Sequence, residues 1–324
     1  MRGGSTQYYQ SKEWRKVTWY GTKEYAKRLV GFKPLNLLLV SVLRRVLSPH
    51  RLVRFPVNVK EVECCVEGSK FALLEPMKCN VAREFFWGRG QLISASDQMA
   101  IKLIHHLARE ADVFVDIGAN TGLFSLVAAA ANSDLQVHAF EIVPEVFVAL
   151  FRNICRNNVA DRCECHFCGI GKDGTSATMP LALEGSALPS TFSSRKLFES
   201  SESGVRVRFR SLDSLSCVIG DRRVLIKIDV EATEDDIFAQ GDAFVQAHSP
   251  DILCEILPRA PTVGVVQPFL ERHGYRTLRV EDGNLVAVPR LEPHADYWDW
   301  LFTKRTNERL FGLDVIECSG HVRP

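Results

Sequence analysis

The chain has 324 residues, 46% of them apolar and 24% charged, which fits a soluble globular protein with room for one ordinary α/β domain and an accessory segment. No apolar run reaches the roughly eighteen residues of a spanning helix, and no apolar run beside a cleavage site follows Met1, so neither a membrane span nor a signal peptide is expected. Ten cysteines in so long a chain argue against a disulfide scaffold and for a reducing compartment such as the cytoplasm. The net charge of +1 is unevenly spread: residues 1–60 hold thirteen Lys/Arg against two Glu, which leaves about −10 for the remainder.

Residues 1–85 read as a basic N-terminal accessory segment, helical or extended, and 86–324 as the α/β domain. Met1 to Tyr20 mix Lys, Arg, Tyr and Trp with little apolar period. Glu24 to Leu47 look helical, broken near Gly31 and Pro34. Val57 to Leu74 suit two short strands around the turn Glu67-Gly68-Ser69-Lys70. Ser96 and Asp97 open a helix towards Glu110, with Met99, Leu103, Ile104 and Leu107 on one face.

Val113 to Ile117 is an apolar strand that ends in an acid and runs into Gly118-Ala119-Asn120-Thr121-Gly122, after which Leu123 to Ala131 are helical in pattern. Gln136 to Phe140 form a second strand, ending at Glu141. Pro144 starts a helix, and Cys163 to Gly169 make a third strand. Asp173 to about Arg210 read as an inserted hairpin or lid, with Gly185 to Thr191 as the part that covers substrate. Asp213 caps a short helix. Arg223 to Asp229 is a fourth strand, Asp235 to Ala247 a helix, Asp251 to Ile256 a fifth strand and Val263 to His273 a helix. Thr277 to Val288 close with two strands around Asp282-Gly283-Asn284, a strong hairpin turn. Strand and helix alternate as a mostly parallel sheet requires.

The spacing at the glycine turn narrows the ligand. A dinucleotide fingerprint is G-x-G-x-x-G, and here Asn120 stands at the second glycine and the third is absent. Asp116-x-Gly118-x-Asn120-x-Gly122 suits S-adenosylmethionine (SAM) better than a pyrophosphate, with the acid accepting from the ligand's ammonium group. Glu141, about twenty residues on, stands where an acid would hold ribose hydroxyls. An NAD-dependent dehydrogenase is therefore disfavoured.

With these residues laid out, the chain resembles the FkbM family of SAM-dependent methyltransferases from about residue 94 to 303. Val115 to Gly122 match its first motif, Ala139-Phe140-Glu141 its second-strand motif, and Ser211 to Leu215 its threonine-leucine-aspartate helix start. Ile226-Lys227-Ile228-Asp229-Val230-Glu231, followed by Glu234, is the most family-specific stretch. Cys254-Glu255-Ile256 and Asn284 to Pro289 fit too. The resemblance implies a Rossmann-like class I methyltransferase sheet, mostly parallel with a closing antiparallel hairpin. SAM would lie against Asp116, Gly118, Asn120, Thr121, Gly122 and Glu141, with Gly169 and Ile170 bordering the adenine. Two positions depart from the family: Ala232 replaces a glycine and Ile142 a proline. If that glycine serves close ligand approach, Ala232 crowds the site by one methyl.

The implied reaction is methylation of a hydroxyl on a sugar or secondary metabolite, so the partner would be a small-molecule or glycan acceptor. An N-methyltransferase and an inactive methyltransferase-like interaction domain remain as rivals. The base is sought at the carboxyl ends of the strands, where Asp229, Glu231 and Glu255 lie. Lys227, two residues before Asp229 and so on its side of the strand, would meet a carboxylate and orient the base. The alternative is an ionic cluster that merely orders the strand ends. Asp229, Glu231, Glu234, Asp235, Asp236 and Glu255 would suit Mg²⁺, but acids at 234–236 also favour a helix start, so no metal is assigned. Cys163, Cys165, His166 and Cys168 offer soft ligands for zinc, yet a strand turns Cys163 and Cys165 to one face and Glu164 and His166 to the other. The basic, aromatic N-terminus suits peripheral contact with a membrane surface; a nucleic-acid partner is not expected, in the absence of an RNA-binding signature.

Overall fold

A computed structural model describes residues 32–179, 204–258, 261–307, 310 and 313–317. The expected lid at Gly185 to Thr191 and the aromatic, basic stretch before residue 32 lie outside the described residues.

The described N-terminal part holds helices α1 (Lys33–Val46) and α2 (Pro49–Leu52). Pro34 sits in the first turn of α1 and starts the helix rather than breaking it, because its missing N–H falls where no intrahelical acceptor exists. Phe32, Leu38, Val42 and Val46 stay exposed. No helix among the described residues is long and apolar enough to cross a membrane. The hairpin β1 (Glu61–Val66) and β2 (Ser69–Leu74) turns at Glu67 and Gly68, both at positive φ. Helix α3 (Asn80–Trp87) follows, an element with no expectation from the sequence. Helix α4 (Ala95–Ala108) starts one residue before the expected opening, because the Ser94 hydroxyl accepts from the Asp97 amide as its N-cap.

The α/β part continues through β3 (Val113–Ile117), α5 (Leu123–Ala131), β4 (Gln136–Phe140), α6 (Pro144–Arg156), β5 (Cys163–His166), β6 (Gly169–Ile170), β7 (Ser176–Met179) and β8 (Val205–Arg210). A 3₁₀ turn at Asp213–Leu215 leads to α7 (Ser216–Ile219), β9 (Val224–Ile228), α8 (Glu234–Phe238), α9 (Asp242–His248), β10 (Asp251–Glu255) and α10 (Val263–His273). The last strands are β11 (Arg276–Val280), β12 (Leu285–Val288), β13 (Asp299–Thr303) and β14 (Val315–Glu317). Nine strands form one sheet in the order β14-β12-β11-β13-β10-β9-β3-β4-β5. The run from β10 to β5 is parallel, while β13 and β11 pair antiparallel with their neighbours. This is the doubly wound, mostly parallel α/β class, closed by an antiparallel unit. The unit is larger than the expected hairpin: β13 inserts between β10 and β11.

Each sheet face buries its own apolar layer. Phe114, Val137, Ala139, Leu225 and Leu253 pack with α4, α5 and α6. Val113, Val115, Ile226, Ile228 and Ile252 pack with Phe238, Phe244, Val266 and Phe269 on the other side. Central strands buried on both faces read as continuous apolar runs, and Val113 to Ile117 is buried at every position. The β1–β2 hairpin joins the first layer through Val62, Cys64, Phe71 and Leu73. Asn153 of α6 and its C-cap Asn157 fasten it: their side chains accept from the Leu74 and Ala72 amides, and Asn153 Nδ2 donates to the Thr121 carbonyl.

The stretch expected as one helix from Asp235 is two, α8 and α9, separated at Gly241. Gly241 has no side chain with which to cap α9; instead Asp213 Oδ1 accepts from the Phe244 amide at 2.8 Å. Asp213 therefore caps a helix distant in sequence, not its own. Losing such a cap costs about 1 kcal/mol, so Asp213→Ala should lower stability by that amount and Asp213→Asn by much less, as read by chemical denaturation.

Candidate active site

The carboxyl ends of β3, β4 and β9 open onto a cleft. Its floor is the glycine turn, which works by backbone contact. Gly118 is at φ 77°, its N–H donates to the Phe140 carbonyl at 3.0 Å, and a Cβ there would stand 1.9 Å from the Asp229 carbonyl oxygen. Gly122, at φ 88°, starts α5, and a Cβ would meet Leu150 Cδ1 at 2.7 Å. Both glycines answer internal close approach as well as positive φ. Gly118 and Asn120 line the cleft; Gly122 and Thr121 do not. Thr121 is buried, its hydroxyl 3.6 Å from Cys79 Sγ.

Asp116 also departs from its expected place. It is fully buried beneath the turn, with Oδ2 accepting from Ser125 Oγ at 2.6 Å and Oδ1 without a hydrogen-bond partner. It does not border the cleft. Burial pushes its carboxyl up, opposed by the Lys227 ammonium on the next strand. Burial beneath the turn thus sets Asp116 apart from the ligand contact expected of it.

Glu141 does face the cleft. Its Oε2 accepts from the Asn120 amide at 2.9 Å, and Oε1 accepts from those of Ile142 and Val143 at 2.8 Å each. Burial raises its carboxyl and these three N–H donors oppose that. Gly169 and Ile170 border the cleft, as a short strand paired with β8. Phe140, Val143, Val146 and Phe209 supply apolar walls that were not foreseen. Phe209 was hidden because β8 fell inside the segment read as an insertion. Its ring packs where a Gly169 Cβ would be, at 2.4 Å, which explains the glycine there.

The charged residues gather beside this cleft. Lys227 is buried in the central strand with Nζ 2.7 Å from Asp229 Oδ2 and 4.6 Å from the centre of the Phe124 ring. Burial opposes its charge, but Asp229, Asp116 and Glu255 outweigh that and hold it protonated. The expected meeting of Lys227 with a carboxylate is what the structure shows. Carboxylate oxygens of Asp229, Glu231 and Glu255 lie within 4.8 Å of one another. Asp229 and Glu231 line the cleft; Glu255 stands behind them, opposite Asp299 of β13. Burial, then the charges of Asp229 and Asp299, raise Glu255 far above the carboxylate range. Burial likewise lifts Asp299 to about 7. Asp229 and Glu231, which reach the cleft where Glu255 does not, are the candidate bases. Asp299 was missed; its one signal is its place opposite Glu255 in a strand that the sequence reading did not draw.

Ala232 changes meaning. Residues 231 and 232 both take left-handed backbone, at φ 56° and 72°, and the Ala232 amide donates to Glu234 Oε1 at 3.0 Å. Ala232 does not line the cleft. A glycine at 232 answers this conformation, and the idea that the alanine methyl crowds a ligand is set aside.

A doubly wound sheet with an acid-bearing cleft at the ends of its parallel strands and a glycine turn without a dinucleotide pattern has the architecture of a Rossmann-like methyltransferase. Residues 116–277 match the methyltransferase FkbM domain. The chain belongs to the FkbM family and is a SAM-dependent methyltransferase. It is 27% identical over 201 residues to the 31-O-demethyl-FK506 methyltransferase FkbM of Streptomyces tacrolimicus, covering 54% of this chain and 76% of that protein. Among solved structures it is similar to a methyltransferase FkbM from Methylobacillus flagellatus KT, with 17% identity and a TM-score of 0.40. That match covers 60% of this chain and only 43% of the Methylobacillus chain. An O-methyltransferase from Bacillus cereus in complex with SAH matches with 15% identity and a TM-score of 0.37, covering 65% of this chain and 80% of that one.

Two predictions test the loop after β9. An alanine in left-handed backbone is strained where glycine is not, so Ala232→Gly should raise stability by about 1 kcal/mol, measured by thermal melting. Glu234 is the second. It is buried, Oε2 lacks a partner, and burial lifts its pKa from 4.5 to about 7. The folded chain therefore keeps its proton to higher pH than the unfolded chain, and this group's contribution to stability is lost as pH rises from 4.5 towards 7. Glu234→Gln removes that dependence. Relative to the parent it should gain roughly 1–3 kcal/mol between pH 4.5 and pH 8, and parallel pH profiles in the two proteins would reject the assignment.

Proposed function

We propose that this chain transfers a methyl group from SAM to a hydroxyl oxygen of a sugar or secondary metabolite. The supporting observation is the juxtaposition, at the ends of β4, β9 and β10, of a carboxylate suited to a ribose diol and a carboxylate cluster built around one buried ammonium. The relative from Streptomyces tacrolimicus is named for a 31-O-demethyl substrate, which favours oxygen over nitrogen as the acceptor atom.

The cleft fits the donor in chemistry. Glu141 is held by three backbone amides and turned to the cleft, as recognition of two vicinal hydroxyls needs. Phe209, Val143 and Ile170 supply apolar surface for a purine, and the Gly118–Asn120 backbone leaves room beside them. SAM brings, when bound, a methyl carbon activated by a sulfonium leaving group. The chain's own residues must place an acceptor hydroxyl in line with it and exclude water, which can lower a barrier by about 7–11 kcal/mol. Asp229 Oδ2 is held by Lys227, which leaves Oδ1 to take the hydroxyl proton, an effect typically worth about 10²–10⁴-fold. Lys227 positions that base, and Glu231 flanks the acceptor.

A second reading has one observation in its favour: Asp229, Glu231 and Glu255 converge closely enough to hold one ion, and hard oxygen ligands suit Mg²⁺. The test is calorimetric titration with SAM, with NAD as control, followed by turnover in excess EDTA. SAM should bind saturably and NAD not at all. Glu141→Gln should weaken SAM at least about tenfold, the order of losing a charge-assisted hydrogen bond. Turnover should survive EDTA; loss on chelation with recovery in Mg²⁺ would transfer the proposal to the metal reading. Absence of SAM binding would leave a methyltransferase-like interaction domain.

A further inference from the structure

We propose that His138, Glu164 and His166 form a binding site for one divalent transition-metal ion of the zinc type, on the sheet edge and separate from the methyl-transfer cleft. Parallel pairing sets His138 of β4 opposite Glu164 of β5, and Phe140 opposite His166. With side chains alternating along each strand, His138, Glu164 and His166 then share one face. His138 Nδ1 lies 3.2 Å from His166 Nε2 and 3.5 Å from Glu164 Oε2, and His166 Nε2 lies 3.9 Å from the same oxygen. An ion about 2.0–2.1 Å from each of three tetrahedral ligands needs them roughly 3.3 Å apart. Two of the three separations, 3.2 and 3.5 Å, match that triangle closely, and the third, 3.9 Å, is somewhat longer.

The surroundings hold the two histidines in place. Both side chains are largely buried, and the His166 ring stacks on Phe140 with centroids 4.5 Å apart and planes 13° from parallel. That contact fixes the ring before any ion arrives. Two imidazoles and one carboxylate are borderline ligands of the kind Zn²⁺ accepts, with a fourth position left for water. Cys163 and Cys165, the soft ligands prominent in the sequence, pack into the apolar layer on the opposite face and are not part of the set. None of the three ligands borders the methyl-transfer cleft.

The test uses the full chain, freed of metal by dialysis against a chelator and then titrated with Co²⁺ and, in competition, Zn²⁺. One equivalent of Co²⁺ should give visible ligand-field bands without sulfur-to-cobalt charge transfer, and Zn²⁺ should erase them. His138→Ala and His166→Ala should each weaken binding at least about tenfold. Glu164→Gln should weaken it too; its side chain is 65% exposed, so this variant folds even if a histidine variant does not. Thiolate bands in the cobalt protein, or unchanged affinity in Glu164→Gln, would overturn the proposal.

Discussion

The organisation of this molecule depends on one ammonium group, that of Lys227, placed in the middle of a strand buried on both faces. An unpaired buried charge is costly, and breaking a buried pair by removing one partner typically costs about 3–5 kcal/mol. The fold meets this with Asp229 in direct contact and with the fields of Asp116 and Glu255. One cation stands among more acids than it can neutralise, so the acids divide. Asp229 makes the ion pair, while Asp116, Glu255 and Asp299 are all raised. Sorting carboxyl groups by proton affinity in this way suits a site for proton transfer. The sorting arises from burial and one fixed charge.

The glycine turn shows the same economy. Gly118 lets the ends of β3 and β9 approach until the Asp229 amide donates to the Ile117 carbonyl at 3.0 Å. That contact fixes Asp229 relative to the turn. The cleft floor and the carboxylate cluster are therefore one mechanical unit, and the hairpin at residues 61–74 is tied to it through Asn153.

Much of this was legible in the sequence because it rests on strong periodicity. The central strands announce themselves as apolar runs with acids at their ends, and Lys227 beside Asp229 carries its own argument. What escaped depends on contacts distant in sequence. The burial of Asp116 is set by Ser125 and by the strand carrying Lys227, and no local pattern separates it from an acid that faces a ligand. Phe209 and Asp299 reach their places through strands, Val205–Arg210 and Asp299–Thr303, whose positions are set by pairing with strands distant in sequence. The meaning of Ala232 lies in φ, which composition does not reveal. His138 and Glu164 meet only because β4 and β5 pair in one particular register.

That register has a consequence for the sheet as an object in a crowded solution. A sheet's outermost strands expose unpaired N–H and C=O groups, the template on which foreign strands aggregate. Among the described residues the two edges are β5, four residues long, and β14, three. At about 3.3 Å per residue neither offers a ledge much longer than 13 Å. Glu164 adds an exposed charge in β5, and two exposed residues, Ile316 and Glu317, follow Val315 in β14. The widest and most apolar strands lie innermost, where both sides are already paired, so the sheet is broad without being adhesive.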